Sequence, residues 1–150
     1  MLTERGIFLE RAASGELRGL AERLSQVLTH CELCPRRCRV DRTRHIGYCR
    51  QSAAVRLTNA VVHTGEEPPL IVGAGSGAVF FSGCTLGCVY CQNFGISQQN
   101  RGFDYTDEAL AEIFLSLQRA GVSNLNLVSP TPRLRAIVSA LDIGARRGLS

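Results

Sequence analysis

The sequence predicts an α/β fold in which strands and helices alternate and the strands lie in a parallel sheet. Three observations predict it. The run Ala78-Val79-Phe80-Phe81 is apolar, uninterrupted and set between Gly77 and Ser82-Gly83, the mark of a strand buried on both faces. A second apolar run at 125–128 follows at the spacing of a βα unit. Helical periodicity and capping residues mark one helix between these runs and another after them.

The N-terminal 30 residues read as helix. Ser14 is the expected N-cap, Glu16 suits the positive end of the helix dipole, and Leu17, Leu20, Leu24, Val27 and Leu28 form one apolar stripe. Residues 31–50 are a cysteine- and arginine-rich knuckle. Residues 51–77 connect it to the buried strand. Within them, 53–63 predicts two short strands turning near Thr58 and Asn59. The two prolines at 68 and 69 forbid helix and central strand alike. Gly73, Gly75 and Gly77 precede a strand rather than open a helix, so they are no dinucleotide fingerprint. After the buried strand, 98–104 reads as a polar loop. Thr106 caps a helix with Asp107 and Glu108 in its first turn, Leu110, Ile113, Phe114 and Leu117 on its apolar face, and Gly121 at its end. Ser129-Pro130 stops the second strand. Thr131 and Pro132 start the last helix, lined by Leu134, Ile137, Val138 and Leu141 to about Gly148.

The composition narrows the function. At 150 residues and 45% apolar, the chain is long and hydrophobic enough for one domain with a real core. Its net charge of +4, from 17 basic and 13 acidic residues, is too modest to imply a nucleic-acid partner. No run has the length of a membrane span, and the charged N-terminus lacks a signal peptide's apolar core. Seven cysteines without an export signal point to the reducing cytoplasm, where thiols serve metals or redox chemistry.

Those cysteines divide into four and three. Cys31, Cys34, Cys38 and Cys49 are spaced C-x2-C-x3-C-x10-C, four soft ligands that suit zinc or an auxiliary iron–sulfur cluster. Arg36, Arg37, Arg39, Arg42 and Arg44 interleave them and are expected to form a solvated rim offsetting thiolate charge. Cys84, Cys88 and Cys91 are spaced C-x3-C-x2-C just past the buried strand, where α/β folds place their chemistry. Three thiolates cannot close a four-ligand site, so one metal position stays open for another molecule. His63 is most simply an ordinary satisfied side chain.

The run GSGAVFFSGCTLGCVYCQN resembles the cluster loop of radical S-adenosylmethionine (SAM) enzymes. Together with CELCPRRCRVDR, GYCR, GEEPPL and NLNLVSPTP, it is similar to relatives of the pyruvate formate-lyase activating enzyme. The resemblance implies a partial (βα)6 barrel of the TIM type, of which 78–150 would be the first two units, the chain ending before the barrel is complete. It implies a 4Fe-4S cluster on Cys84, Cys88 and Cys91, and SAM on the open iron. It further implies reductive cleavage of SAM to a 5′-deoxyadenosyl radical, an electron donor such as flavodoxin or ferredoxin, and a glycyl-radical enzyme as the protein acted upon. Tyr90 would pack adenine, and Asn126 and Ser129 would approach the amino group of SAM. The Gly-Gly-Glu stretch of better-known members is absent there. The competing expectation is a zinc knuckle that grips nucleic acid through 31–50 and leaves the triplet idle.

Overall fold

The computed structural model describes residues 6–70 and 73–150. The first five positions of the expected N-terminal helix, and positions 71–72 of the expected connection, lie outside the described residues. In chain order the elements are α1 (Ile7–Ala13), α2 (Glu16–Thr29), β1 (Val55–His63), β2 (Ser76–Phe81), α3 (Phe94–Ser97), β3 (Phe103–Tyr105), α4 (Asp107–Arg119), β4 (Asn124–Val128) and α5 (Leu134–Arg146). Short 3-10 turns occupy Pro68–Leu70 and Thr131–Arg133.

The strands form one four-stranded sheet in the order β3-β1-β2-β4. It is mixed rather than parallel. β2 and β4 run parallel, from Ser76 opposite Asn124 to Phe80 opposite Val128, whereas β1 is antiparallel to both β2 and β3. The two strands expected within 53–63 are one nine-residue strand. Its register shifts between Leu57 and Asn59, where the turn was expected. Val55, Leu57 and Ala60 all pack on the same core. The step from 57 to 60 is odd, and a bulge absorbs the extra residue without reversing the chain.

Two further expectations are corrected. The N-terminal segment is two helices, and the N-cap of α2 is Gly15 rather than Ser14. Gly15, with φ at 80°, separates α1 from α2; the Ser14 hydroxyl donates to the Arg11 carbonyl at 3.0 Å at the end of α1 and accepts from the Glu16 amide at 3.4 Å at the start of α2. The loop expected over 98–104 ends in β3, which pairs with β1 and sets Asp104 against Arg56 through two hydrogen bonds of 2.8 and 3.0 Å. A three-residue strand is too short to show alternation, so nothing in the sequence announced it.

The helical expectations for α4 and α5 hold more closely. Thr106 accepts a hydrogen bond from the Ala109 amide at 3.2 Å, and Gly121, at φ 84°, follows the last turn of α4. Pro132 sits in a 3-10 turn, so α5 begins at Leu134. Both helices lie on one face of the sheet. Leu110, Ala111, Phe114, Leu115 and Leu117 from α4 meet Val79 and Phe81 from β2, Val55 and Leu57 from β1, and Ala136, Ile137 and Ala140 from α5. A second cluster, Ala12, Leu17, Leu24 and Val138, docks α1 and α2 onto the outer side of α5. The apolar stripe of α2 is therefore only partly used: Leu17, Leu24 and Leu28 are buried, while Val27 is exposed. Among the described residues no helix is long and apolar enough to cross a membrane.

Candidate metal centre

β2 is buried along almost its whole length, and the chain leaves its C-terminal end directly into the triplet loop. The base of that loop is fixed by backbone. The Ser82 amide donates to the Arg56 carbonyl at 3.0 Å and the Gly83 amide to the Ile96 carbonyl at 3.0 Å. Gly83 has φ at 77°, and a Cβ there would collide with the Cys49 carbonyl and the Gln51 side chain. Only glycine meets both demands, and its small size lets the two cysteine segments touch.

Cys84, Cys88 and Cys91 are free and half-buried. The Leu86 amide points at the Cys84 sulfur at 3.4 Å, the Cys91 amide bonds the Cys88 carbonyl at 3.3 Å, and the Cys91 sulfur lies 3.1 Å from the Ser97 hydroxyl. Among the described residues no three His, Cys, Asp or Glu side chains are drawn together to ligating distance. The donor set itself fits an iron–sulfur group: three accessible soft thiols on one short loop, none committed to a disulfide.

The quartet lies beside this loop. Cys31, Cys34, Cys38 and Cys49 line one small cavity with Arg42, Tyr48 and Thr85. Cys31 and Cys49 are buried. Burial pushes the Cys49 thiol up, against the opposing pull of the Arg42 guanidinium. Burial also acts to raise the Cys38 thiol, but hydrogen bonds from Tyr48, Val40 and Cys31 outweigh it and hold it below the usual value.

Four of the five arginines, Arg36, Arg37, Arg39 and Arg44, form the exposed rim expected, and Arg42 is the exception. Arg42 is only 1% exposed and donates to the carbonyls of Gln51 at 3.2 Å, Ser52 at 2.7 Å and Pro132 at 2.9 Å. Arg39 pairs with Glu32 at 2.8 Å, and Arg44 with Asp41 at 3.7 Å. Arg36 stacks on the Tyr48 ring at 4.2 Å and reaches into the triplet loop, donating to the Thr85 and Leu86 carbonyls at 3.0 Å each. A buried Arg133, which sequence reasoning passed over, joins Arg42. Burial lowers its guanidinium pKa to about 9. Nothing in the sequence separates Arg42 or Arg133 from a surface arginine.

The other expected site residues scatter. Tyr90 stands 87% exposed in the loop, with its ring free. Ser129 leaves β4 with φ at 56°, and its strand neighbour Val128 faces Phe80, so it lies beside the root of the triplet loop. Asn126 pairs opposite Ala78, about 10 Å further down the sheet from Ser129. Its amide donates to the Glu66 carboxylate at 2.8 Å. The structure thus places Ser129 at the strand end next to the root of the triplet loop and leaves Asn126 engaged elsewhere. His63 is exposed at the opposite end of β1. An apolar cavity of about 540 Å³, lined by Phe8, Phe114, Leu125, Leu127, Leu141 and Leu149 among others, includes none of the cysteines.

Residues 71–139 match a family described as a 4Fe-4S single cluster domain. That stretch contains the triplet, α4, β4 and the start of α5, and is compatible with an iron–sulfur protein. The chain is also 34% identical over 125 residues to an uncharacterized protein of Methanocaldococcus jannaschii, an alignment covering 77% of this chain and 36% of that protein. The chain therefore spans about a third of the length of the relative it matches. No solved structure matches.

Proposed function

We propose that the chain is the cluster-binding part of a radical SAM enzyme of the pyruvate formate-lyase activating type, with Cys84, Cys88 and Cys91 as the ligands of a 4Fe-4S group. The observation that carries this reading is positional. Three free thiols, and not four, leave the C-terminal end of a buried strand beside its parallel neighbour, the place where α/β sheets receive ligands. When bound, such a group supplies an open iron for the amino and carboxylate ends of SAM and the electron that cleaves its carbon–sulfur bond, giving methionine and a 5′-deoxyadenosyl radical.

The chain's own residues supply position and shelter. Gly83 and the Ser82 amide hold the loop root against β1 and α3. Arg36 ties the loop to the quartet segment. Tyr90 offers an exposed ring for adenine to stack on. Ser129 stands at the adjacent strand end. No acid or base is assigned. In this reading 78–150 forms the first two units of a partial barrel, preceded by the helical segment, the quartet knuckle and the connecting strand. The partners are SAM, a flavodoxin- or ferredoxin-type donor and a glycyl-radical enzyme, in a reducing cytoplasm. The enclosure of Arg42 and the hold of Arg36 on the triplet loop support this reading over a nucleic-acid-gripping knuckle.

The test is anaerobic reconstitution with iron and sulfide, followed by electron paramagnetic resonance of the reduced protein with and without SAM. A 4Fe-4S signal that changes on adding SAM and vanishes in Cys84→Ala is expected. An unchanged iron content in Cys84→Ala would overturn the assignment.

A further inference from the structure

The positive charge of the chain is gathered in one place. Segments 31–50 and 84–101 hold all seven cysteines and carry seven arginines against only Glu32 and Asp41, a surplus of +5, whereas the rest of the chain sums to −1. Glu32 is paired with Arg39 and Asp41 with Arg44, and Arg42 is enclosed. Arg36, Arg37, Arg50 and Arg101 remain. All four are exposed, and none meets a carboxylate among the ion pairs of the described residues. Nor does any of the four donate a hydrogen bond to a cysteine sulfur, as Arg42 does to Cys31.

These four cations form a collar around the triplet loop. Arg36 reaches the Thr85 and Leu86 carbonyls, with Arg37 next to it in the chain. Arg50 follows Cys49, whose carbonyl lies against Gly83 at the root of the loop. Arg101 lies over Gly95 in α3, the helix into which the loop runs; a Cβ on Gly95 would sit 3.4 Å from its side chain. The loop itself is uncharged from 84 to 100. It carries two uncovered aliphatic side chains, Leu86 at 67% exposure and Val89 at 95%. Uncharged apolar surface rimmed by one sign of charge is the anatomy of a protein-binding face. A nucleic acid would use the cations, but an aliphatic side chain offers it neither a stacking ring nor a hydrogen bond.

We propose that this collar is the docking surface for an acidic electron-transfer protein that reduces the group held by Cys84, Cys88 and Cys91. The proposal rests on the 4Fe-4S reading of the triplet given above, and adds where the donor lands and what selects it. The three cysteines are half-buried, so a partner seated on the loop lies close to whatever they hold. One electron leaves the reduced centre of the donor, which is oxidised by that electron, and the triplet's group is reduced by it; no bond forms or breaks. Such an encounter must be quick to form and quick to part, which suits a small, electrostatically steered contact better than a large apolar one. The unpaired guanidiniums draw an acidic surface in and orient it. Leu86 and Val89 then exclude water at the point of contact.

The test uses the full chain with its cluster reconstituted, and an acidic flavodoxin, fully reduced, as donor. Cluster reduction is followed by stopped-flow absorbance. Its second-order rate should fall at least about tenfold between low and physiological ionic strength. Arg37→Glu together with Arg101→Glu should slow it about 10–100-fold at low salt and remove most of the salt dependence; Arg36 is left in place because it holds the loop. Photochemical reduction by a small neutral deazaflavin should proceed equally in both proteins. A flavodoxin rate indifferent to salt and to the reversals would overturn the docking surface and leave the cluster reading standing. Failure of the deazaflavin to reduce the unsubstituted protein would overturn both. A single-stranded oligonucleotide that binds the collar and shuts out flavodoxin would give the surface to nucleic acid instead. Should the double variant not fold, Arg37→Gln decides, with a slowing of about threefold expected at low salt and an unchanged rate refuting the proposal.

Discussion

Arg36→Ala isolates the link between the two cysteine segments. The side chain makes two hydrogen bonds of 3.0 Å to the carbonyls of Thr85 and Leu86 and stacks on Tyr48 at 4.2 Å. A charge-assisted bond contributes up to about 3 kcal/mol when sheltered, but this site is exposed, so roughly 0.5–1 kcal/mol each is the better figure. The stack adds about 0.5 kcal/mol. Together the substitution frees the triplet loop by about 2 kcal/mol, or roughly thirtyfold in the population of its open form. The assay is the rate at which an iron chelator strips the reconstituted protein, read beside hydrogen exchange of the amides at 84–91. Both should rise about ten- to thirtyfold, and Arg36→Lys should recover only part, since an ammonium cannot span two carbonyls as the guanidinium fork does. Stripping and exchange rates within twofold of the unsubstituted protein would show that the loop does not lean on Arg36.

Three further outcomes are expected. Phe114→Ala removes a fully buried ring from the junction of α4 with the sheet and should lower unfolding free energy by about 3–5 kcal/mol in urea titration; a loss under about 1 kcal/mol would show the site collapses freely. Gly83→Ala forces a left-handed alanine against the Cys49 carbonyl and should cost about 2–5 kcal/mol by the same measurement; a loss under about 1 kcal/mol would show that the two cysteine segments move apart freely. The Glu108 carboxyl is held below its ordinary value by its own backbone amide and by Thr106 at the start of α4. A lowered carboxyl pKa stabilises the fold above the unfolded-state value and ceases to as pH falls through the folded one, so Glu108→Gln should lower the melting temperature near neutrality and leave it unchanged in acid. An equal shift at both pH values would assign the effect to something other than charge.

The strands and helices that carry strong local signals were readable from the residues. β2 declared itself by an apolar run between glycines, α4 by the Thr106 cap and the Gly121 stop, and the triplet by its spacing. These features depend on neighbours in sequence, whose preferences act before any tertiary contact forms. The bulge that makes β1 one strand, the antiparallel pairings that make the sheet mixed, and β3 itself were decided by the fold, because pairing partners lie from 13 to 50 residues apart. The arginines show the same division most clearly. Arg36, Arg39 and Arg42 are indistinguishable as letters, yet one reaches across 49 residues to the triplet loop, one meets Glu32 at the surface, and one is enclosed. A guanidinium's role is set by which carbonyl, carboxylate or sulfur the packed chain brings within reach. Residue type and spacing fix what chemistry the cysteines can do; only the assembled interior decides which charges stand beside them.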